Sequence, residues 1–386
     1  MKILYHHRTA SKDGQAVHIE EMIAALRSQG HEVRVVAPVV GEQGKMGGKV
    51  GWVHKLKDAL PKAVYELLEL GYSVLAYRQL KAAADEFKPD FIYERYNLFL
   101  LAGSMLRRRL GIPLLLEVNS PLVWERSQHS GGLALKSMAK WAEGLVWRSA
   151  DFVLPVTRVL SGYVRDYGVP ESRICVIPNG INEPHFTSAP SQEMAKRQLA
   201  LEGKIILGFT GFVREWHGVD RVVHWMASDS APSNAFLLMV GDGPVRASLE
   251  ALASELKIAE RIRFTGVVDR SIVPEHVAAF DIALQPAVTE YASPLKMMEY
   301  LVLGKAIVAP MEPNLMEILD DQENALLFDG KQPDGLELAL TRLCNDSALR
   351  SKLAAGARAT ISRRNLTWDG NARKVVELAG EAGEGR

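Results

Sequence analysis

The chain has 386 residues, is 47% hydrophobic, and sets 46 Lys and Arg against 46 Asp and Glu. That length and composition provide for two ordinary globular domains, and a neutral chain of this kind gives no reason to expect a nucleic-acid partner. Two distant cysteines, Cys175 and Cys344, exclude a disulfide scaffold and fit buried free thiols in a reducing compartment. In chain order, KILYH reads as a strand rather than a secretory leader. A helix with an apolar stripe at Ile19, Met22, Ile23 and Leu26 follows, then Gly30 and the strand EVRVVA. Further strands are expected at FIYE, PLLLEV, FVLPV and ICVIP, separated by helical stretches, which describes a parallel, doubly wound sheet.

Pro, Ser and Thr interrupt the periodicity in INEPHFTSAPSQE, Ile181 to Glu193, so the domain boundary is expected there. The alternation then restarts with IILGFTG, FLLMVGDG, IRFTG, DIALQP and AIVAP, a second Rossmann-like domain. The halves differ in charge. Through Glu183 there are 24 basic against 19 acidic residues, a balance of +5, and the remainder has 22 against 27, or −5. Such an imbalance steers an anionic acceptor or lipid to one domain, or is plain surface variation.

The most informative stretch is SPLKMMEYLVLGK. Ser293 and Pro294 fit a helix start, with Leu295, Met298, Leu301 and Val302 as the buried stripe and with Lys296 and Glu299 near the helix mouth. Free N–H groups, the positive helix end and a lysine suit a phosphate. Together with PNG at Pro178 to Gly180, GFTGFVREWHG, VGDGP and FTG, this stretch resembles the retaining glycosyltransferases of family 4, the group 1 transferases. The resemblance implies the GT-B fold: α/β, with two tandem Rossmann-like domains and a cleft between them. It also implies an acceptor-binding domain over 1–183, a nucleotide-sugar domain over 184–364, and a terminal helix, about 365–386, returning to the first domain.

Carried onto this chain, the resemblance assigns Glu299 to the donor's ribose and Arg214 with Lys296 to its diphosphate, where a planar guanidinium and a point charge complement each other. His217 occupies the usual lysine position. Gly243 in the VGDGP turn and Val267 after FTG complete the donor side with Ser293, Pro294 and Leu295. The family's first glutamate, eight residues before Glu299, is replaced by Tyr291, with Glu290 one residue away. In the first domain, ligands are expected beyond the carboxyl ends of the strands. Gly14 at the first helix is a donor-binding candidate, for approach to an anion; the acceptor or sugar-cleft candidates are His18, Glu94, Arg95 and Asn119, with Glu117 in a catalytic place.

The activity implied is transfer of a hexosyl unit from a UDP- or GDP-sugar to an acceptor hydroxyl, with retention. No further cofactor or metal is expected, since stabilisation of the leaving diphosphate is the main demand and the chain has no Asp-x-Asp triplet. A catalytically idle nucleotide-sugar-binding subunit and a sugar-nucleotide epimerase stay open as alternatives. A dehydrogenase is disfavoured by the missing GxGxxG. The expected acceptor is a saccharide or lipid-linked molecule of polysaccharide or glycolipid synthesis, and the expected location is cytoplasmic. Lys45 to Leu80 mixes lysines with Trp52 and aliphatic residues, which suits either peripheral contact with an anionic membrane at its inner face or a helix packed on the sheet with its lysines in water.

Overall fold

The computed structural model describes residues 1–9, 14–38, 60–129 and 131–384. Two compact units emerge. The first comprises Met1–Pro178, Tyr291–Ser293 and Trp368–Arg386, and the second Asn179–Glu290 and Pro294–Thr367. The first therefore ends five residues before the expected boundary at Glu183 and takes back the chain's last helix.

The first unit runs β1 (Lys2–His6), α1 (Gly14–Ser28), β2 (Glu32–Val36), α2 (Lys62–Phe87), β3 (Phe91–Arg95), α3 (Ala102–Leu110), β4 (Leu114–Val118), α4 (Leu122–His129), α5 (Lys136–Ser149), β5 (Phe152–Pro155) and α6 (Arg158–Asp166). Its sheet has the order β2-β1-β3-β4-β5, and every pair is parallel. The order reverses at β1, so right-handed crossovers put α1 on one face and α2, α3 and α5 on the other. Continuous apolar runs such as LLLEV are what a strand covered on both faces requires, and β3 and β4 are buried throughout.

The second unit follows with α7 (Glu183–Phe186), α8 (Gln192–Gln198), β6 (Ile205–Thr210), α9 (Val219–Met226), β7 (Ala235–Val240), α10 (Arg246–Glu255), β8 (Ile262–Phe264), α11 (Val273–Ala278), β9 (Ile282–Leu284), α12 (Leu295–Val302), β10 (Ala306–Pro310), β11 (Ala325–Phe328), α13 (Gly335–Asn345) and α14 (Ser347–Arg364). Its parallel sheet has the order β11-β10-β9-β6-β7-β8. Separate apolar clusters cover its two faces, one built on Leu207, Phe209 and Trp225 and the other on Ile206, Phe280 and Tyr300. The last helix, α15 (Trp368–Glu384), belongs to the first unit and packs on α1, where the Trp368 ring meets His18 edge-on at 4.7 Å.

Three expectations change. ICVIP is not a ladder strand: Cys175 and Ile177 donate to β5 at 3.0 Å each, with a single bridge at Ile174. The strand β11 was missed, because its four residues ALLF lie directly behind the polar run DDQEN. Helix α12 starts at Leu295, and its fully buried residues are Met297, Met298, Tyr300 and Leu301, while Leu295 and Val302 are half-buried. Of the expected membrane segment, residues 45–59 lie outside the described residues. No described helix is long and apolar enough to cross a membrane. Cys344 is buried and Cys175 half-buried, both as free thiols.

Candidate active site

In the second unit, three loops at the carboxyl ends of β6, β7 and β8 are stitched together by backbone. Gly211 N–H donates to Val240 O at 2.9 Å and Val213 N–H to Asp242 O at 2.8 Å, while Gly241 bridges Gly266. Glycine is required here for close approach. A Cβ on Gly241, whose φ is +135°, would overlap the Gly211 carbonyl, and one on Gly243 would overlap the Val213 backbone. The glycines of GFTG, VGDG and FTG thus bring these loops together. Val267, just beyond, is 55% exposed.

Lys296 is delivered to this cluster by α12. The Tyr300 hydroxyl accepts from Thr210 N at 2.9 Å and bonds Thr210 Oγ1 at 3.0 Å, which ties the helix to the end of β6. Lys296 Nζ lies 3.6 Å from the centre of the Phe209 ring, and its Cε is 3.8 Å from where a Gly211 Cβ would stand. The helix follows Pro294, which gives it no side-chain cap, and has no acid in its first turn, so its positive end is not offset by its own residues. Lys296 and Glu299 keep some accessible surface but sit in a crowded recess. Burial lowers the Lys296 ammonium to about 7 against the opposing pull of Glu299. Burial likewise raises the Glu299 carboxyl to about 7 against Lys296 and Arg270.

The loop after β6 supplies two more groups. The Arg214 guanidinium lies between Phe212 and Trp216, 4.9 and 5.0 Å from their ring centres, a stacking that holds a cation in place. Its backbone N–H donates to His217 Nδ1 at 3.0 Å, which leaves the hydrogen of the neutral ring on Nε2. Burial, reinforced by Lys296 and Arg214, lowers His217 to about 3, so at neutral pH the ring is an uncharged donor. One unit therefore gathers Arg214, His217, Lys296 and Glu299, with Gly243 packed against the loop that carries Arg214. The arrangement is suited to a diphosphate: a stacked guanidinium, an N–H donor, an ammonium and an open helix end.

In the first unit, Glu117 is the centre of a buried network. Its carboxylate accepts from Tyr93 OH at 2.8 Å, from Asn119 Nδ2 at 2.5 Å and from Arg95, and His18 Nε2 stands 2.9 Å away. Burial works to raise its pKa, but His18 and Arg95 outweigh it and hold Glu117 ionised well below the usual carboxylate range. The sequence places Glu117 in the reaction; the structure makes it the group that orients His18, Arg95 and Asn119. Glu94 is also turned inward. It meets His6 Nδ1 at 2.5 Å, and its carboxyl group fills the space where a Gly103 side chain would be, at the start of α3. Gly14 opens α1, directly after residues outside the described set.

Tyr291, in the register of the family's first glutamate, is a core residue of the first unit. Its hydroxyl donates to Glu125 at 2.9 Å, its ring meets Trp124 edge-on, and its carbonyl accepts from Thr157 Oγ1 at 3.0 Å. Sequence reasoning missed this anchor, and it missed Tyr300. The signal available was only an aromatic beside each motif. Among the described residues no group of His, Cys, Asp and Glu could hold a metal ion.

Two parallel Rossmann-like sheets, with an anion-suited cluster at the strand ends of one of them, define an α/β protein of the two-domain type. Residues 13–180 match the model of the glycosyl transferase 4-like domain, and residues 191–360 that of the glycosyl transferases group 1. The chain belongs to the family 4 glycosyltransferases, which have the GT-B fold. It is 27% identical to D-inositol 3-phosphate glycosyltransferase of Salinispora arenicola over 411 aligned positions, covering 98% of this chain and 89% of that protein. Sucrose-phosphate synthase of Thermosynechococcus elongatus superposes with a TM-score of 0.80 at 18% identity, each chain covered in full at 100%. Anabaena HepE in complex with UDP gives 0.78 at 18% identity, covering 99% of this chain and 100% of that one. Structures of the latter protein also contain UDP-glucose.

Proposed function

We propose that the chain transfers a hexosyl unit, with retention, from a UDP- or GDP-sugar to a hydroxyl of a saccharide or lipid-linked acceptor, on the cytoplasmic side of the membrane. The observation that carries this reading is the convergence of Lys296, His217 and Arg214 with the open start of α12. In it the diphosphate takes bonds from Lys296 Nζ and His217 Nε2, and Arg214 adds its charge. Glu299, one turn along the helix, accepts from the ribose hydroxyls. Charge that grows on the leaving diphosphate is met by donors already in place, which is where such donors act most strongly. In this reading the departing phosphate takes the acceptor hydroxyl's proton as the new glycosidic bond forms and the bond from the sugar to the phosphate breaks. Thermal shift against a panel of nucleotide sugars, followed by NMR of the product's anomeric centre, tests the reading. A donor that stabilises the protein and yields a product of unchanged anomeric configuration supports it; an inverted product removes retention.

A second reading, an idle nucleotide-sugar-binding subunit, draws on Tyr291. The position of the family's first glutamate is here a packed tyrosine. Tight donor binding with no transfer to any acceptor favours that reading.

A further inference from the structure

The glycines that bring the three loops of the second unit together also lay out a track along its sheet edge. Gly211, Gly241 and Gly266 stand side by side just past the ends of β6, β7 and β8, since Gly211 N–H donates to Val240 O and Gly241 bridges Gly266. Thr265 Oγ1 accepts from Gly241 N–H at 3.2 Å and fixes the third loop on the second. With adjacent strands about 4.8 Å apart, Gly211 and Gly266 are separated by about 10 Å. Lys296 marks one end of the track, its Cε 3.8 Å from where a Gly211 Cβ would stand. Arg246, the first residue of α10, marks the other, its Nη1 3.6 Å from the corresponding point on Gly266. The reach of a nucleotide from its diphosphate to its base is of that order, so a diphosphate on Lys296 brings a base to Arg246.

Arg246 is held in one orientation there. Its Nε donates to Glu250 at 2.8 Å, one turn along the helix, and its guanidinium lies over the Phe264 ring, 5.4 Å from the centre. Asp242 stands 3.8 Å from Nη1, beyond hydrogen-bond distance, and Asp242 Oδ1 accepts from Gly243 N–H at 2.8 Å. Among the described residues, then, no acceptor lies within hydrogen-bond distance of the Nη1 and Nη2 hydrogens. Gly266, at a φ of +69°, puts no side chain in front of them, and the exposed Val267 beside it offers an aliphatic surface for a base plane. A guanidinium has hydrogens to give and no acceptor, so it pairs with a base edge that carries a carbonyl oxygen and opposes one that carries an amino group. Guanine presents O6 and N7 to such a fork and uracil presents O4, whereas adenine and cytosine present amino groups there.

We propose that Arg246 selects the donor's base, accepting one with a carbonyl at this edge, guanine or uracil, and rejecting adenine and cytosine. Glu250 is then a positioning residue, which fixes Nε so that the two terminal nitrogens face the base. This selection presupposes that the diphosphate sits on Lys296 and His217, as in the transferase reading.

Calorimetric titration of the full chain with UDP against CDP, and with GDP against ADP, tests this, since each pair has bases of one ring size and opposite groups at that edge. In at least one pair the carbonyl member should bind about tenfold tighter or more than its amino partner. Arg246→Leu should remove about tenfold of that ratio by weakening the carbonyl member alone, and Glu250→Gln should remove part of it. Inorganic pyrophosphate, which has no base, should bind wild type and both variants equally, and an unchanged melting temperature reports that the fold is kept. Equal affinities within both pairs, a ratio that survives Arg246→Leu, or a variant that weakens every nucleotide and pyrophosphate alike would each overturn the proposal. So would a preference for CDP or ADP, which would put Asp242 against the base instead. Pyrophosphate binding that persists in wild type leaves the diphosphate site standing in all of those cases. A wild type that binds neither pyrophosphate nor any nucleotide removes the transferase reading, and the base selection with it.

Discussion

Donor binding should exchange protons with solvent, in opposite directions on the two sides of neutrality. Free Lys296 and free Glu299 both titrate at about 7, because each is desolvated in the same recess. The diphosphate needs the ammonium and the ribose hydroxyls need the carboxylate, so the bound state favours both charged forms. At pH 8 the lysine is about 0.9 deprotonated and the glutamate about 0.9 ionised, so binding takes up a net of about 0.8 proton. At pH 6 the occupancies reverse and binding releases about 0.8 proton. Affinity is then greatest near neutral pH and falls on either side as one of the two groups must change its charge. Calorimetric titration with a UDP- or GDP-sugar, whose doubly esterified diphosphate does not itself titrate between pH 6 and 8, in two buffers of different ionisation enthalpy reads the proton count directly. Lys296→Met should abolish the uptake at pH 8 and keep the release at pH 6, and Glu299→Gln should do the reverse. Heats that do not depend on the buffer at either pH would refute the reasoning, since the two side chains would then hold the same charge with and without donor.

Three further outcomes follow from packing and charge. Gly241→Ala forces a Cβ onto the Gly211 carbonyl at a φ of +135°; it should destabilise the protein by about 1–3 kcal/mol, read in denaturant titration, and an unchanged midpoint contradicts the close approach. Glu117→Gln leaves buried Arg95 and His18 without their anion and should cost about 3–5 kcal/mol at neutral pH. Because the folded pKa of Glu117 is depressed, its stabilisation is present above the unfolded value of about 4.3 and is lost as pH falls towards the folded one, so wild type and variant should converge in acid. Tyr300→Phe removes the acceptor for Thr210 N and should cost about 1–3 kcal/mol while lowering kcat/KM through a displaced α12; unchanged values of both would remove the anchor.

Glycines and strand ends were legible because each has a local cause. GFTG, VGDG and FTG mark places where backbone touches backbone, and the apolar runs KILYH and AIVAP can only be buried strands. The rotation of α2 was not legible. Val64, Leu67 and Leu68 have the spacing of a buried stripe yet are exposed, and what turns them outward is the hold of Arg126 on Glu69 and of the Ala134 and Leu135 N–H groups on Glu66, partners that lie 57 to 69 residues away in the chain. Glu94 and Glu117 read as cleft groups because they end strands, yet His6, His18, Arg95 and Tyr93 draw them inward. Arg214 was readable as a cation in a glycine-rich loop; its clamp by Phe212 and Trp216 depends on how that loop folds back.

The central claim concerns where the diphosphate sits, and a crystal structure with UDP or GDP bound measures it most directly. The account predicts phosphate oxygens within hydrogen-bond distance of Lys296 Nζ and His217 Nε2 at the start of α12, with the ribose hydroxyls on Glu299. A nucleotide bound elsewhere, or one whose phosphates leave Lys296 and His217 untouched, would contradict it.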